Sequence, residues 1–258
     1  MKPRIGIFGL SGCWGEQIVM LNCEDELLAI AGAVDIVDFL GGSSVNDREG
    51  RLAIAFVEGS VGSAREEAAL QRIRERADLL VACGTCACFG GVAAMDGTRP
   101  RAELAARVYG PLGRDYDLHP HHRLDDLVKV DVRIPGCPME KEEFLRVVSS
   151  LLNGDVPLAD NRPVCAECKM LEQDCLLVSQ HLACAGPVTA AGCGARCPGY
   201  NVACIGCRGP ADEANFGSMR EILAKSGFAE ADVRKKLLTF ATPAVAGQMV
   251  ASPKVGDA

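Results

Sequence analysis

Apolar and polar positions along this chain fall into blocks that predict strands and helices in turn. Arg4 to Gly9 reads as a buried strand. Leu10-Ser11-Gly12-Cys13 then turns into a helix over about Trp14 to Ile30, with Ile18, Leu21 and Leu28 on one face. Asp35 to Leu40 predicts a second short strand, Gly41-Gly42-Ser43-Ser44 a loop, and Leu52 to Val57 a third strand. Ser63 to Arg76 alternates charge at helical spacing, as a solvated covering helix does. Asp78 to Ala82 predicts a buried strand that opens into a loop of small residues from Cys83 to Gly91. A helical piece follows near Arg101 to Tyr109. Val128 to Ile134 alternates as a strand and stops at Pro135-Gly136-Cys137-Pro138, and Lys141 to Leu152 is the next helix. From about Asn215 to Phe240 the pattern suits two short helices packing back on the body, and Ala241 to Ala258 reads as a loose tail.

Strands alternating with helices predict an α/β fold, a parallel sheet covered on both faces. In such sheets ligands collect beyond the carboxyl ends of the strands. Cys13, the Cys83 to Cys88 loop and Cys137 all follow strand ends, so three segments distant in sequence are expected to converge. Asp155 to Pro163 has the polar and proline content of a boundary, which divides the chain into residues 1–155 and 156–258.

The second part concentrates the chemistry. It holds eight of the fourteen cysteines: Cys165, Cys168, Cys175, Cys184, Cys193, Cys197, Cys204 and Cys207. Eight thiolates suit two four-cysteine cubane clusters, because iron-sulfur clusters take soft anionic sulfur on short, bendable backbone. Glycine and proline recur at the turns, as in Gly186-Pro187, Pro198-Gly199 and Gly209-Pro210, and the segment has almost no aliphatic core of its own. Zinc ribbons space their CxxC knuckles by about 15 to 20 residues; Cys168 and Cys204 are farther apart, with four cysteines between them. A disulfide framework needs an oxidising compartment. The amino terminus runs into a strand without a signal peptide or twin arginine, so a cytoplasmic setting is expected.

Composition narrows the classes further. A chain of 258 residues can bury one large core and a small one. No run of 18 apolar residues is present, so no membrane insertion is expected. Net charge −7 with 5% aromatics argues against a nucleic-acid surface. The loop His119-Pro120-His121-His122 reads as solvated, Gly59-Ser60-Val61-Gly62 is not a complete phosphate-binding fingerprint, and no GxSxG motif occurs. Cys23, placed mid-helix, reads as a small buried hydrophobe, and Trp14 as a shield beside Cys13 or a core filler.

With both cysteine regions placed, the chain resembles the small subunit of NiFe hydrogenases of the cytoplasmic kind. The matching pieces are Gly9-Leu10-Ser11-Gly12-Cys13, Gly84-Thr85-Cys86-Ala87 with Gly90-Gly91, Val128-Lys129-Val130-Asp131, Ile134-Pro135-Gly136-Cys137-Pro138, and the eight-cysteine segment through Gly209-Pro210. They cover roughly residues 4 to 217, and the first part also looks like the small cluster subunit of respiratory complex I. The resemblance implies a flavodoxin-like domain followed by a small, loop-rich cluster domain, with three iron-sulfur clusters of the 4Fe-4S kind. Cys13, Cys86 and Cys137 match proximal ligands; Cys193, Cys197, Cys204 and Cys207 would hold a middle cluster, and Cys165, Cys168, Cys175 and Cys184 an outer one.

The family's usual Cys-x-x-Cys at the first turn is here Cys13-Trp14-Gly15-Glu16. The fourth proximal donor is therefore open. Glu16, one helical turn from Cys13, is a harder oxygen donor; Cys83 and Cys88 are alternatives, as is a three-iron cluster. A glutamate in a first helical turn is also favoured by the helix dipole and by capping. The implied function is electron transfer between a nickel-iron site in a partner large subunit and an acceptor subunit linked to deazaflavin, nicotinamide or heterodisulfide reductase. No catalytic residue for hydrogen is expected in this chain. The rival readings are a relay of the same ancestry without a nickel-iron centre, complex I-like, and a zinc-stabilised interaction protein.

Overall fold

The computed structural model describes residues 2–95 and 100–249. Five short apolar runs form a parallel sheet: β1 (Arg4–Gly9), β2 (Asp35–Phe39), β3 (Leu52–Glu58), β4 (Ala77–Cys83) and β5 (Val132–Ile134), in the order β2-β1-β3-β4-β5. That is the flavodoxin-like order. Alternate side chains of the central strands feed two separate cores. Ile54 and Phe56 join Ile5, Ile7, Val81 and Ile134 on one face; Ala55 and Val57 join Leu52, Leu80 and Ala82 on the other.

Helices α1 (Gly15–Leu21), α2 (Glu24–Ala33), α3 (Ala64–Arg76), α4 (Gly84–Phe89), α5 (Arg101–Tyr109) and α6 (Lys141–Leu152) accompany the sheet. α6 buries Phe144, Val147, Val148 and Leu151, a three-four spacing that forms one stripe against the first core. α3 covers the other face with Leu70 and Ile73. Its amino terminus is closed from within the chain. The Ser63 hydroxyl accepts from the Glu66 amide, while the Glu66 carboxylate accepts from the Gly62 amide and the hydroxyls of Ser63 and Ser11.

The rest of the chain is loop-rich. It carries α7 (Val164–Met170), α8 (Leu176–Ser179), α9 (Arg196–Gly199), α10 (Phe216–Lys225), α11 (Glu230–Leu238) and α12 (Thr242–Val245). Its apolar core is supplied by α10 to α12, where Phe216, Met219, Leu223, Leu237 and Val245 close over Ala185 and Val188. Phe89 of α4 belongs to both this core and the sheet's second core, so one ring joins the two parts.

Several expectations change. The helix predicted over 14–30 is two helices, broken at Asn22-Cys23, and Ile18, Leu21 and Leu28 are exposed. The inward face of α1 is instead Glu16, Gln17 and Met20. Cys23 is fully buried as expected, but it stands at the start of α2 and not mid-helix. The small-residue loop after β4 is a helix from Gly84 to Phe89, because Gly84 at φ +79° turns the chain and Ala87 and Cys88 then find apolar cover. β5 is shorter than expected: in the approach to it, the Asp131 carboxylate accepts from the Leu80 amide and its own amide donates to the Leu80 carbonyl. The tail is helical through Met249, in α12 and a 3-10 turn over Ala246–Met249. Residues 250–258 lie outside the described residues. Among the described residues no helix is long and apolar enough to cross a membrane.

This arrangement predicts opposite outcomes for two leucines. Leu80→Ala, which empties a fully buried central-strand site, should destabilise the chain by about 2–5 kcal/mol. Leu28→Ala, at 84% exposure, should change stability by no more than about 0.5 kcal/mol in denaturation of the isolated chain.

Candidate metal centres

The parallel sheet gathers its chemistry at the carboxyl ends of the strands. The segments after β1 and β3 are zipped together, Leu10 donating to the Glu58 carbonyl at 2.9 Å and Ser11 and Ser60 exchanging backbone bonds at 3.1 and 2.8 Å. Trp14, in the left-handed region at φ +69°, then starts α1. Glu58 ends β3 fully buried. Its carboxylate accepts from the Trp14 amide at 2.6 Å and the Gln17 amide at 3.2 Å, an anion at a helix start. The donor atoms of Cys13, Glu16 and Glu58 all lie within 4.8 Å of one another.

Glu16 is 5% exposed. Burial raises its carboxyl to about 7, and the neighbouring Glu58 charge adds to the effect. Cys86, at the start of α4, is pushed up to about 11 by burial, then by Glu16 and Cys13. Cys137 is pushed up to about 12 by burial, then by Glu16, Cys86, Cys207 and Cys13. The structure thus brings Cys13, Glu16, Cys86 and Cys137 together, and it adds Glu58, which the sequence reading missed. Cys83 and Cys88 are buried among apolar residues of the two cores, and both thiols are raised by burial first.

The remaining eight thiols gather beyond this point. Burial pushes Cys165 up to about 11, with Cys184, Cys168 and Cys175 adding. Cys168 is raised by burial, then by Cys184, Cys175 and Cys193. Gly186 leaves this group room: a Cβ there would sit 3.4 Å from the sulfurs of both Cys165 and Cys184. Cys207 is raised by burial and has Cys193 and Cys197 as neighbours. Cys204 is pushed up to about 12 by burial and has Cys184 and Cys207 as neighbours.

Two polar residues shape these loops without carrying sulfur. The Glu167 carboxylate of α7 accepts from the amides of Gly192, Gly194 and Ala195 at 2.9, 3.1 and 3.0 Å, which folds the backbone around Cys193. Thr85 stitches three cysteine loops. Its hydroxyl donates to the Cys207 carbonyl and accepts from the Gly136 amide at 3.1 Å, and its amide donates to the Gly136 carbonyl at 2.8 Å. The Cys137 backbone lies beside the Cys207 thiol and offsets part of the rise that burial causes there. The histidine loop takes no part in these groups: His119 pairs with Asp117 at 2.8 Å and His121 meets the Ser60 hydroxyl at 2.8 Å.

The donor sets fit iron-sulfur clusters. Buried thiols and carboxylates crowded together resist ionisation, and only positive charge placed among them would let them become the anions that ligation needs. Soft sulfur in such numbers selects iron-sulfur clusters or zinc over hard cations.

Residues 13–151 match the family model described as NADH ubiquinone oxidoreductase, 20 Kd subunit. The chain is 38% identical over 238 residues to the sulfhydrogenase 2 subunit delta of Pyrococcus furiosus, covering 92% of this chain and 99% of that relative. Among solved structures it resembles a chain of an NAD+-reducing NiFe-hydrogenase in the H2-reduced state. The identity there is 29% and the TM-score 0.55, over 61% of this chain and 95% of that one. An actinobacterial-type NiFe-hydrogenase from Ralstonia eutropha H16 shares the fold at 19% identity and TM-score 0.60, over 82% of this chain and 79% of that one.

Glu16 supplies a direct test of the anion crowding. In metal-free protein its protonated-carboxyl infrared band should disappear with a midpoint of about 7, and Glu16→Gln should remove that band. A positive centre bound beside it should draw the midpoint down.

Proposed function

The chain belongs to the family of the NADH ubiquinone oxidoreductase 20 Kd subunit and is of the NiFe-hydrogenase small-subunit type, and from that premise we propose that it carries electrons through three 4Fe-4S clusters. The nickel-iron site would be in a large subunit, and the acceptor would be a separate subunit linked to deazaflavin, nicotinamide or heterodisulfide reductase. The observation that carries this reading is the serial order of the donor groups. Thr85 bonds the Cys207 carbonyl and the Gly136 amide beside Cys137, while Cys204 and Cys193 have Cys184 and Cys168 as neighbours.

In this proposal Cys13, Glu16, Cys86 and Cys137 hold the proximal cluster, within a domain formed by residues 1–155. Cys193, Cys197, Cys204 and Cys207 hold the middle one, and Cys165, Cys168, Cys175 and Cys184 the outer one, within residues 156–258. Each cluster would accept and release a single electron, at a potential that ligand identity, burial and hydrogen bonds to sulfur adjust. The chain's residues do the rest. Thr85 holds the first and second groups in register, and Glu167 fixes the Cys193 loop against the helix that bears Cys165 and Cys168. Fourteen thiols suit a reducing compartment such as the cytoplasm.

Only two of the fourteen cysteines are exposed, Cys13 and Cys175. They belong to the first and last groups, and each has exposed apolar residues near it in sequence. Trp14, Ile18 and Leu21 follow Cys13 on α1, while Met170, Leu171 and Val178 flank Cys175 on α7 and α8. We assign the first patch to the large subunit and the second to the acceptor. A relay without a nickel-iron centre is the second reading, and the carboxylate pair Glu16 and Glu58 at the first group favours it.

Metal content of the anaerobically purified complex decides between them. Nickel with about twelve irons assignable to this chain supports the hydrogenase reading; the same iron without nickel supports the relay, and zinc in place of iron overturns both. The docking assignments predict a split. Ile18→Glu should weaken retention of the large subunit about tenfold or more, on the order of 1.4 kcal/mol, as read by co-purification. Val178→Glu should leave that retention intact and slow reduction of the acceptor.

A further inference from the structure

Arg208 is the largest fully buried side chain among the described residues, and it stands where the two parts meet. Its Nε donates to the Ala191 carbonyl at 2.7 Å and one terminal nitrogen to the Pro135 carbonyl at 2.8 Å. Both terminal nitrogens reach the Glu143 carboxylate of α6, at 2.7 and 2.8 Å, in a bidentate pair. Pro135 lies two residues before Cys137, Ala191 two residues before Cys193, and Arg208 itself follows Cys207. The guanidinium thus touches the loops of three candidate ligands drawn from two donor groups.

A buried cation is costly, and one so placed would be matched by packing alone if holding two loops together were its whole task. Its charge has a second consequence. Besides Glu143 it has the thiols of Cys193 and Cys207 as neighbours, so the pair sets a positive group beside the middle-group thiols with its counter-ion on α6. Gly192, at φ +112°, lets the guanidinium approach this closely, since a Cβ there would overlap its terminal nitrogen. A reduced iron-sulfur cluster carries one more negative charge than its oxidised form, so a fixed cation favours reduction and a fixed anion opposes it. In a low-dielectric setting such a charge acts with little screening.

We infer that Arg208, held and partly neutralised by Glu143, is a positioning residue that sets the midpoint potential of the cluster bound by Cys193 and Cys207. It would do so while bonding the proximal Cys137 loop to the middle loops. The inference rests on the three-cluster reading above.

The test is potentiometric titration of the anaerobically purified complex, followed by electron paramagnetic resonance, with iron content as the control for assembly. Glu143→Gln leaves the arginine charge uncompensated. It should raise the midpoint potential of the middle cluster, with a smaller shift at the outer cluster. Arg208→Gln combined with Glu143→Gln removes the pair and should lower the same potential, whereas Arg208→Lys keeps the charge and should stay nearer the wild-type value. Unchanged potentials in Glu143→Gln and in the double variant, at wild-type iron content, would overturn the inference and leave Arg208 a structural tie. Cys197→Ser separates this failure from that of the underlying reading. Loss of one cluster signal in that variant supports the middle cluster, and retention of every signal rejects it and the inference with it.

Discussion

Like charges crowded out of water must be compensated, and that constraint governs most of this structure. Eleven candidate thiolates and the carboxylates of Glu16 and Glu58 are gathered at loop ends. Among the described residues Arg208 is the fully buried cation, and much of its charge is answered by Glu143. The backbone contributes amides: three to Glu167 and two to Glu58. These oriented dipoles soften the repulsion without removing it, which is why the donor sets read as places built for metal.

The sheet makes the gathering possible. Parallel strands end on one side, so loops from β1, β3, β4 and β5 meet there although their residues are far apart in sequence. The loop-rich part has no sheet to order it. It is held by its helical core over Ala185 and Val188, by Phe89 reaching into that core, by Thr85 bonding across to its backbone, and by its own Arg208 bonding back to Pro135 and Glu143. Each of these ties runs beside a cysteine, so the contacts that hold the parts together also fix one donor group against the next.

Strands and covering helices were legible because apolar period and charge alternation are local properties. The cysteine groups were expected from spacing and family resemblance. What escaped was decided by convergence. Glu58 looks in sequence like a polar residue closing a strand, and only the meeting of the β1 and β3 ends buries it beside Cys13. Glu167 looks like a surface charge between two cysteines, yet three amides from a segment 25 to 28 residues away converge on it. The long first helix failed for a related reason: its outward apolar residues mimic a core face, while its inward face is polar because it serves a site. An exposed apolar face and a buried polar one invert the usual pattern, and hydrophobic periodicity alone reads that inversion backwards.

The closed start of α3 has a consequence for what this end of the sheet can hold. In flavodoxin-like folds the switch point between β1 and β3 commonly receives a phosphorylated organic cofactor. Here the Glu66 carboxylate already takes the Gly62 amide and the hydroxyls of Ser11 and Ser63, so an arriving phosphate would meet an anion in residence. The fold has kept the architecture of a nucleotide carrier while surrendering its anion seat, which leaves this end of the sheet to ligands that welcome negative charge.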